Sequence, residues 1–316
     1  MNNFSQKPIY TGTYSSRKRK GWKRVFLIIL LLQLILLLGF YIKSKRTTSP
    51  QDTDTTSEVV ASAPSTQRLP ATSASSEAID HAEPLDLQSV ISAYQRGQLD
   101  EALERIEPLL ATPSPEIIEL LGTINIARLR SNYPMKEKVL YTVESGDYLQ
   151  KIARKYNTTI ALIKIMNGMQ SDTIRIGERL SVFTGTFDVE VSKSENTLDL
   201  LLNKKLFKRY AVGTGEFGKT PAVSFVIYDK IIEPPWTRPS DNRQIEYGDP
   251  ENVLGTRWMA LRAPTAPELS GFGIHGTWER ESIGFQSSAG CVRMYNEDVE
   301  ELFDLLPRKT IVTIKD

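Results

Sequence analysis

The chain has 316 residues, of which 40% are hydrophobic and 24% charged, enough material for two or three small domains. Lys and Arg total 39 against 38 acids, but ten of the basic residues fall within 1–46, where there is no acid, so the remainder carries a net charge near −9. That acidity argues against a nucleic-acid binder, and a single cysteine excludes a disulfide within the chain.

In chain order, residues 1–24 form a basic tail with six Lys and Arg between Arg17 and Arg24. Residues 25–42, VFLIILLLQLILLLGFYI, contain one polar residue, Gln33, and no charge. A helix of that length spans about 27 Å, enough for a bilayer core. The run is long for a signal peptide, and the small-residue stretch Ala61-Ser62-Ala63 lies too far downstream to be its cleavage site. The basic residues before the run outnumber Lys43, Lys45 and Arg46 after it. The positive-inside rule then predicts a single-pass protein of the cell (inner) membrane, N-terminus cytoplasmic, with everything downstream in the periplasm or cell wall. In that oxidising space a lone cysteine is a free thiol.

Residues 43–84 are rich in Ser, Thr, Pro and Ala and read as a disordered tether with an r.m.s. span on the order of 35 Å. His81 falls in it as a solvated side chain. From 85 to 132 the apolar period becomes helical. Leu87, Val90, Ile91 and Tyr94 mark one helix, Gly97 breaks it, and Leu99, Ala102, Leu103, Ile106 and Leu110 mark a second. A third is predicted over 115–130. The helix pair is similar to a tetratricopeptide unit, but one unit makes no array, so a spacer is the reading and any protein partner is unspecified.

Residues 140–184 open and close with short β-type segments around two helical ones. Asp147 with Gln150 has capping-box spacing, and Asn167-Gly168 ends the second helix. The pattern YTVESGDYLQKIARKYNTTIALIKIMNG, closed by IRIGERL, resembles a LysM domain. That resemblance implies a βααβ fold and binding to the N-acetylglucosamine-containing glycan of peptidoglycan or chitin. It places the sugar groove between the 145–149 and 170–175 loops, with Gly146, Asp147, Tyr148 and Ile174 as contacts.

Residues 186–316 read as mainly β, with strands at 187–193, 197–203, 208–214, 223–229 and 310–315 and one helix at 296–306. Within them 271–294, GFGIHGTWERESIGFQSSAGCVRM, holds the only cysteine and the only histidine of the C-terminal half. An imidazole is the usual partner of a nucleophilic thiol, so Cys291 and His275 are the candidate pair. Glycines around them permit tight turns, and Gly290 beside Cys291 is a candidate source of oxyanion-binding N–H groups. Cys and His ligands are too few for a zinc site, and no cofactor or metal is expected.

His275-Gly276-Thr277, then Ser282-Ile283-Gly284, then Ser288-Ala289-Gly290-Cys291-Val292-Arg293 resembles the signature of YkuD-type L,D-transpeptidases. TPAVSFVI, EPPW and ENVLGTRWMAL match further segments of that family. Ala289 stands where many members carry a second histidine. The resemblance implies a sandwich-like β fold with the cysteine loop at one edge. It implies Cys291 as nucleophile and His275 as base, with the Gly276 carbonyl orienting His275. Ser288, Arg293, Thr277 and Trp278 become supporting or substrate residues, Arg293 more naturally as a local anchor.

The reaction so implied is peptidoglycan transpeptidation through a cysteine thioester, giving 3-3 crosslinks between stem peptides. The same residues would serve an L,D-carboxypeptidase or the attachment of a protein to the wall. A non-catalytic wall-binding protein is the reading from a different class. Cysteine peptidases with a distant histidine fit poorly, since His275 and Cys291 are sixteen positions apart.

Overall fold

A computed structural model describes residues 86–316. The membrane segment 25–42 and the linker 43–84 expected above lie outside the described residues, among which no helix is long and apolar enough to cross a membrane.

Three helices come first: α1 (Leu87–Gln95), α2 (Leu99–Ile106) and α3 (Pro115–Arg130). The Asp86 side chain caps α1 by accepting from the Ser89 N–H at 2.7 Å. Gly97, at φ +75, makes the turn to α2, and Pro115 starts α3. Val90, Ala93, Leu99, Ala102, Ile106, Leu121 and Ile124 pack together between them. The far face of α3 sends Ile126 and Leu129 into the main core of the molecule.

Strands β1 (Lys138–Thr142) and β2 (Arg179–Phe183) pair antiparallel around helices α4 (Leu149–Lys155) and α5 (Ile160–Met166), the βααβ order expected of a LysM domain. The expected capping box at Asp147 and Gln150 does not form. The helix starts one residue later, with Tyr148 at its cap and no side-chain bond there, because the Asp147 carboxylate turns back to Tyr141 and Glu144. Helix α5 is two-faced: Ile163 lies in the small LysM core, while Leu162 and Met166 lie in the main core.

The rest is built on strands β3 (Phe187–Ser192), β4 (Thr197–Leu202), β5 (Lys205–Ala211), β7 (Ser224–Ile232), β10 (Arg257–Arg262), β11 (Gly273–Thr277), β13 (Val292–Tyr295) and β14 (Ile311–Lys315). They form one continuous eight-stranded sheet, in the order β13-β11-β10-β7-β14-β3-β4-β5, rather than two separately bonded sheets. Short ribbons pair β6 (Thr214–Gly215) with β12 (Gln286–Ser288) and β8 (Trp236–Thr237) with β9 (Gln244–Ile245). Helix α6 (Asn296–Leu305) lies against β11 and β10, burying Val299, Leu302 and Leu305. An open strand edge invites association. At β5 that edge is met by α3, whose Asn125 donates to the Phe207 carbonyl at 2.8 Å.

Candidate active site

Strand β11 lies between antiparallel β10 and parallel β13, and all five of its residues are buried. The register sets His275 beside Trp258 on one side and Arg293 on the other. Cys291 immediately precedes β13, whose Val292 and Arg293 pair with Ile274 and His275, so the chain delivers the thiol to the stretch of β11 that carries His275. Parallel pairing of β11 with β13 thus brings together two residues sixteen positions apart in sequence.

His275 is 3% exposed, and its Nδ1 stands 2.6 Å from the Gly276 carbonyl. A carbonyl only accepts, so Nδ1 carries the proton and Nε2 keeps its lone pair. That carbonyl also receives the Gly255 N–H at 3.0 Å. The Trp258 ring stacks on the imidazole, centroids 5.6 Å apart and planes at 30°. Gly273 makes room for it, because a Cβ there would meet a Trp258 ring carbon at 2.5 Å. Asn296 ties the same region together. Its amide donates to Thr277 O and accepts from Thr256 N, both at 3.1 Å. Burial pushes the His275 pKa down to about 4, and the Arg293 charge adds to the fall.

Cys291 is partly exposed, and its thiol reaches the Gly271 carbonyl at 3.7 Å. No hydrogen bond joins it to His275 among the described residues. Burial raises its pKa above the ordinary value, against opposing pulls from the Gly273 backbone and Arg293. Both shifts favour the neutral forms, thiol and imidazole.

The loop carrying Cys291 is closed by side chains. Ser288 Oγ donates to Cys291 O at 2.7 Å and accepts from Gly290 N at 3.0 Å. This corrects the expectation for Gly290: its N–H is taken by Ser288, so it does not face a reacting carbonyl in this state. Fully buried Thr220 holds the other side, its Oγ1 donating to Gly290 O at 2.9 Å and accepting from Gly215 N at 2.7 Å. Gly290 has φ +136, and a Cβ there would press on Phe272 at 3.0 Å.

Arg293 pairs with Glu279 at 3.1 Å and acts as a local anchor. Thr277 is 3% exposed, and its hydroxyl accepts from Glu279 N at 3.1 Å. Trp278 is 53% exposed; its indole N–H donates to Leu254 O at 3.1 Å and its ring lies 6.3 Å from that of Tyr247.

In the LysM domain the Asp147 carboxylate is engaged internally, by Tyr141 Oη at 2.6 Å, Glu144 N at 2.9 Å and Lys151 Nζ at 2.9 Å. It holds the 144–148 loop, while Gly146 and Tyr148 are exposed on it. Ile174 packs half-buried on the LysM core, with Ile176 the more exposed neighbour. Sequence reading missed Trp258, Thr220 and Asn296. The first lies in the quoted ENVLGTRWMAL segment, but only strand pairing brings it to His275. Among the described residues no group of three or more His, Cys, Asp or Glu could hold a metal ion.

Fold and site together define a mainly-β domain with a Cys–His pair at a strand edge, carried beside a βααβ module. Comparison with known proteins agrees. The L,D-transpeptidase catalytic domain profile matches residues 186–314 and the LysM profile residues 141–183. YqjB of Bacillus subtilis (strain 168), a candidate L,D-transpeptidase, is 37% identical over 129 residues, 40% of this chain and 70% of YqjB. YkuD of the same organism, likewise a candidate L,D-transpeptidase, is 31% identical over 181 residues, 55% of this chain and 97% of YkuD. The crystal structure of L,D-transpeptidase 3 from Mycobacterium tuberculosis in complex with a faropenem-derived adduct overlaps 45% of this chain and 66% of its own, at 15% identity and a TM-score of 0.35. The chain belongs to the YkuD family of L,D-transpeptidases and carries a LysM domain.

Proposed function

We propose that the protein is a peptidoglycan L,D-transpeptidase forming 3-3 crosslinks through a thioester on Cys291. The observation that carries the reading is the pairing of β11 with β13, which brings Cys291 to the stretch that holds His275, with Nδ1 of the histidine fixed by the Gly276 carbonyl and the Nε2 lone pair left free. The thiol turns from Gly271 O toward Nε2, which takes its proton as sulfur attacks the carbonyl of the third stem residue. The tetrahedral intermediate collapses, the C–N bond to the terminal D-Ala breaks, and the imidazolium returns the proton to the departing amine. The side-chain amine of a second stem then attacks the thioester, and the thiolate leaves and is reprotonated. With the Gly290 N–H engaged by Ser288, the Cys291 N–H is the backbone donor of this loop that would meet the oxyanion.

On this reading the LysM domain holds glycan through the loop bearing Gly146 and Tyr148. Residues 25–42 anchor the chain in the membrane, with the catalytic domain outside the cell membrane. The test incubates the protein with disaccharide-tetrapeptides, beside Cys291→Ala and His275→Gln copies, and resolves the products by mass spectrometry. A crosslinked dimer made only by the unaltered protein is expected. Release of tripeptide without dimer would instead identify a carboxypeptidase. Absence of both products would leave a wall-binding role.

A further inference from the structure

A second site lies away from the thiol. Between α4 of the LysM domain and the segment joining α6 to β14 runs a groove of about 700 Å³, lined by Arg154, Thr158, Lys230, Arg308 and Lys309 among others. Lys230 pairs with Met259, and Met259 with Ile274, so the Lys230 side chain leaves the sheet on the face opposite His275. The groove is not an extension of the acyl-transfer site.

Its charge is one-sided. Four cations meet one carboxylate, Asp304, which also faces the adjoining cleft against α5. Lys230 Nζ is spent on the carbonyls of Phe303 and Leu306, and Arg308 pairs with Asp229 at 2.7 Å. The side chains of Arg154 and Lys309 have no hydrogen-bond or ion-pair partner among the described residues. Lys309 is held at φ +74, in the left-handed region, by a chain turn whose N–H donates to Ile227 O at 2.7 Å.

A second feature points the same way. Thr158 is 7% exposed, and its hydroxyl has no partner among the described residues. It lines both this groove and a smaller cavity of about 90 Å³ next to it. A buried hydroxyl without a partner carries a free-energy cost that a bound polar group removes.

We propose that this groove binds an anionic segment of a wall polymer, a phosphate or carboxylate group seated between Arg154 and Lys309 with Thr158 as a neutral hydrogen-bonding partner. The wall location rests on the function proposed above; the anion chemistry does not. Because the groove joins the LysM domain to the catalytic domain, its ligand would hold the enzyme along a strand while the thiol face stays open.

The experiment titrates the full chain with hexa(glycerol phosphate), tetragalacturonate and uncharged chitohexaose, following heat by calorimetry. Variants are the double substitution Arg154→Gln, Lys309→Gln, and separately Thr158→Val, which keeps side-chain shape. At least one anionic probe is expected to bind the unaltered chain, the better of the two identifying phosphate or carboxylate as the source. The double variant should bind it about 10-fold or more weakly. Added salt should weaken the unaltered chain more than the double variant. Thr158→Val should weaken binding about 3-fold without lowering the melting temperature. Chitohexaose binding and crosslinking of soluble tetrapeptides should be unchanged in all variants, which separates this site from the thiol site. Failure of both anionic probes to bind, or equal binding by the unaltered chain and the double variant, would overturn the proposal.

Discussion

His275 serves as a base only while it is neutral. With its pKa held down to about 4, kcat/KM is expected to persist into mildly acidic solution and to fall as pH passes through about 4. An acid limb centred near the ordinary 6.5 would show that the ring is solvated in the working enzyme. The same shift bears on stability. The folded value lies below the unfolded one, so the unfolded chain takes up the proton first as pH falls. The stability held by the neutral ring is complete above about 6.5 and is lost between there and about 4. It amounts to on the order of 3 kcal/mol. Denaturation midpoints for the unaltered chain and His275→Gln across that range measure it. Thr220→Val removes two buried bonds from the cysteine loop, at a cost of roughly 1–3 kcal/mol. Because Thr220 acts through Gly290, kcat should drop while KM for the tetrapeptide stays close to its original value.

At the scale of single elements, α5 serves two cores at once. Leu162 is fully buried in the main cluster, so Leu162→Ala should destabilise by about 2–5 kcal/mol although it lies in the LysM sequence. A urea titration read at the tryptophans checks this, since all four lie outside the LysM segment. In the 144–148 loop, hydrogen bonds from Tyr141, Lys151 and the Glu144 N–H hold the Asp147 carboxyl well below the usual carboxylate range. What the ionised group contributes is therefore present above its unfolded pKa and lost in strong acid. Asp147→Asn should loosen the loop and weaken chitohexaose binding while leaving crosslinking of soluble stems intact. Titration calorimetry beside the mass-spectrometric assay separates the two.

Over the whole described molecule, the helical segment and the LysM domain are not beads on a string. Ile126 and Leu129 of α3, Leu162 and Met166 of α5, and the sheet share one cluster. Lys138 reinforces the junction, its Nζ donating to the carbonyls of Arg128, Ser131 and Tyr133. Residues 86–316 are expected to unfold in one cooperative transition, detectable as a single calorimetric peak. A chain beginning after α3 would leave the β5 edge and its apolar neighbours open, and self-association in sedimentation is the expected result.

Much of this was legible in the residues. The third helix falls at Pro115–Arg130 as expected, because a recurring apolar period and a proline start are local signals. The LysM order was legible for the same reason, and Cys291 with His275 stood out as the only thiol and the only imidazole downstream of the linker. Tertiary structure decided the rest. Strands β10, β11 and β13 give weak local patterns because they are short or buried on both faces, and only their register sets Trp258 against His275. Asp147 has the spacing of a helix cap, yet Tyr141, Glu144 and Lys151 claim its carboxylate first. Gly290 sits where an oxyanion donor is expected, but Ser288, two residues away, takes its N–H. The sequence by itself determined which groups are available to react; hydrogen-bond competition and strand pairing, which join distant residues, determined where each one points.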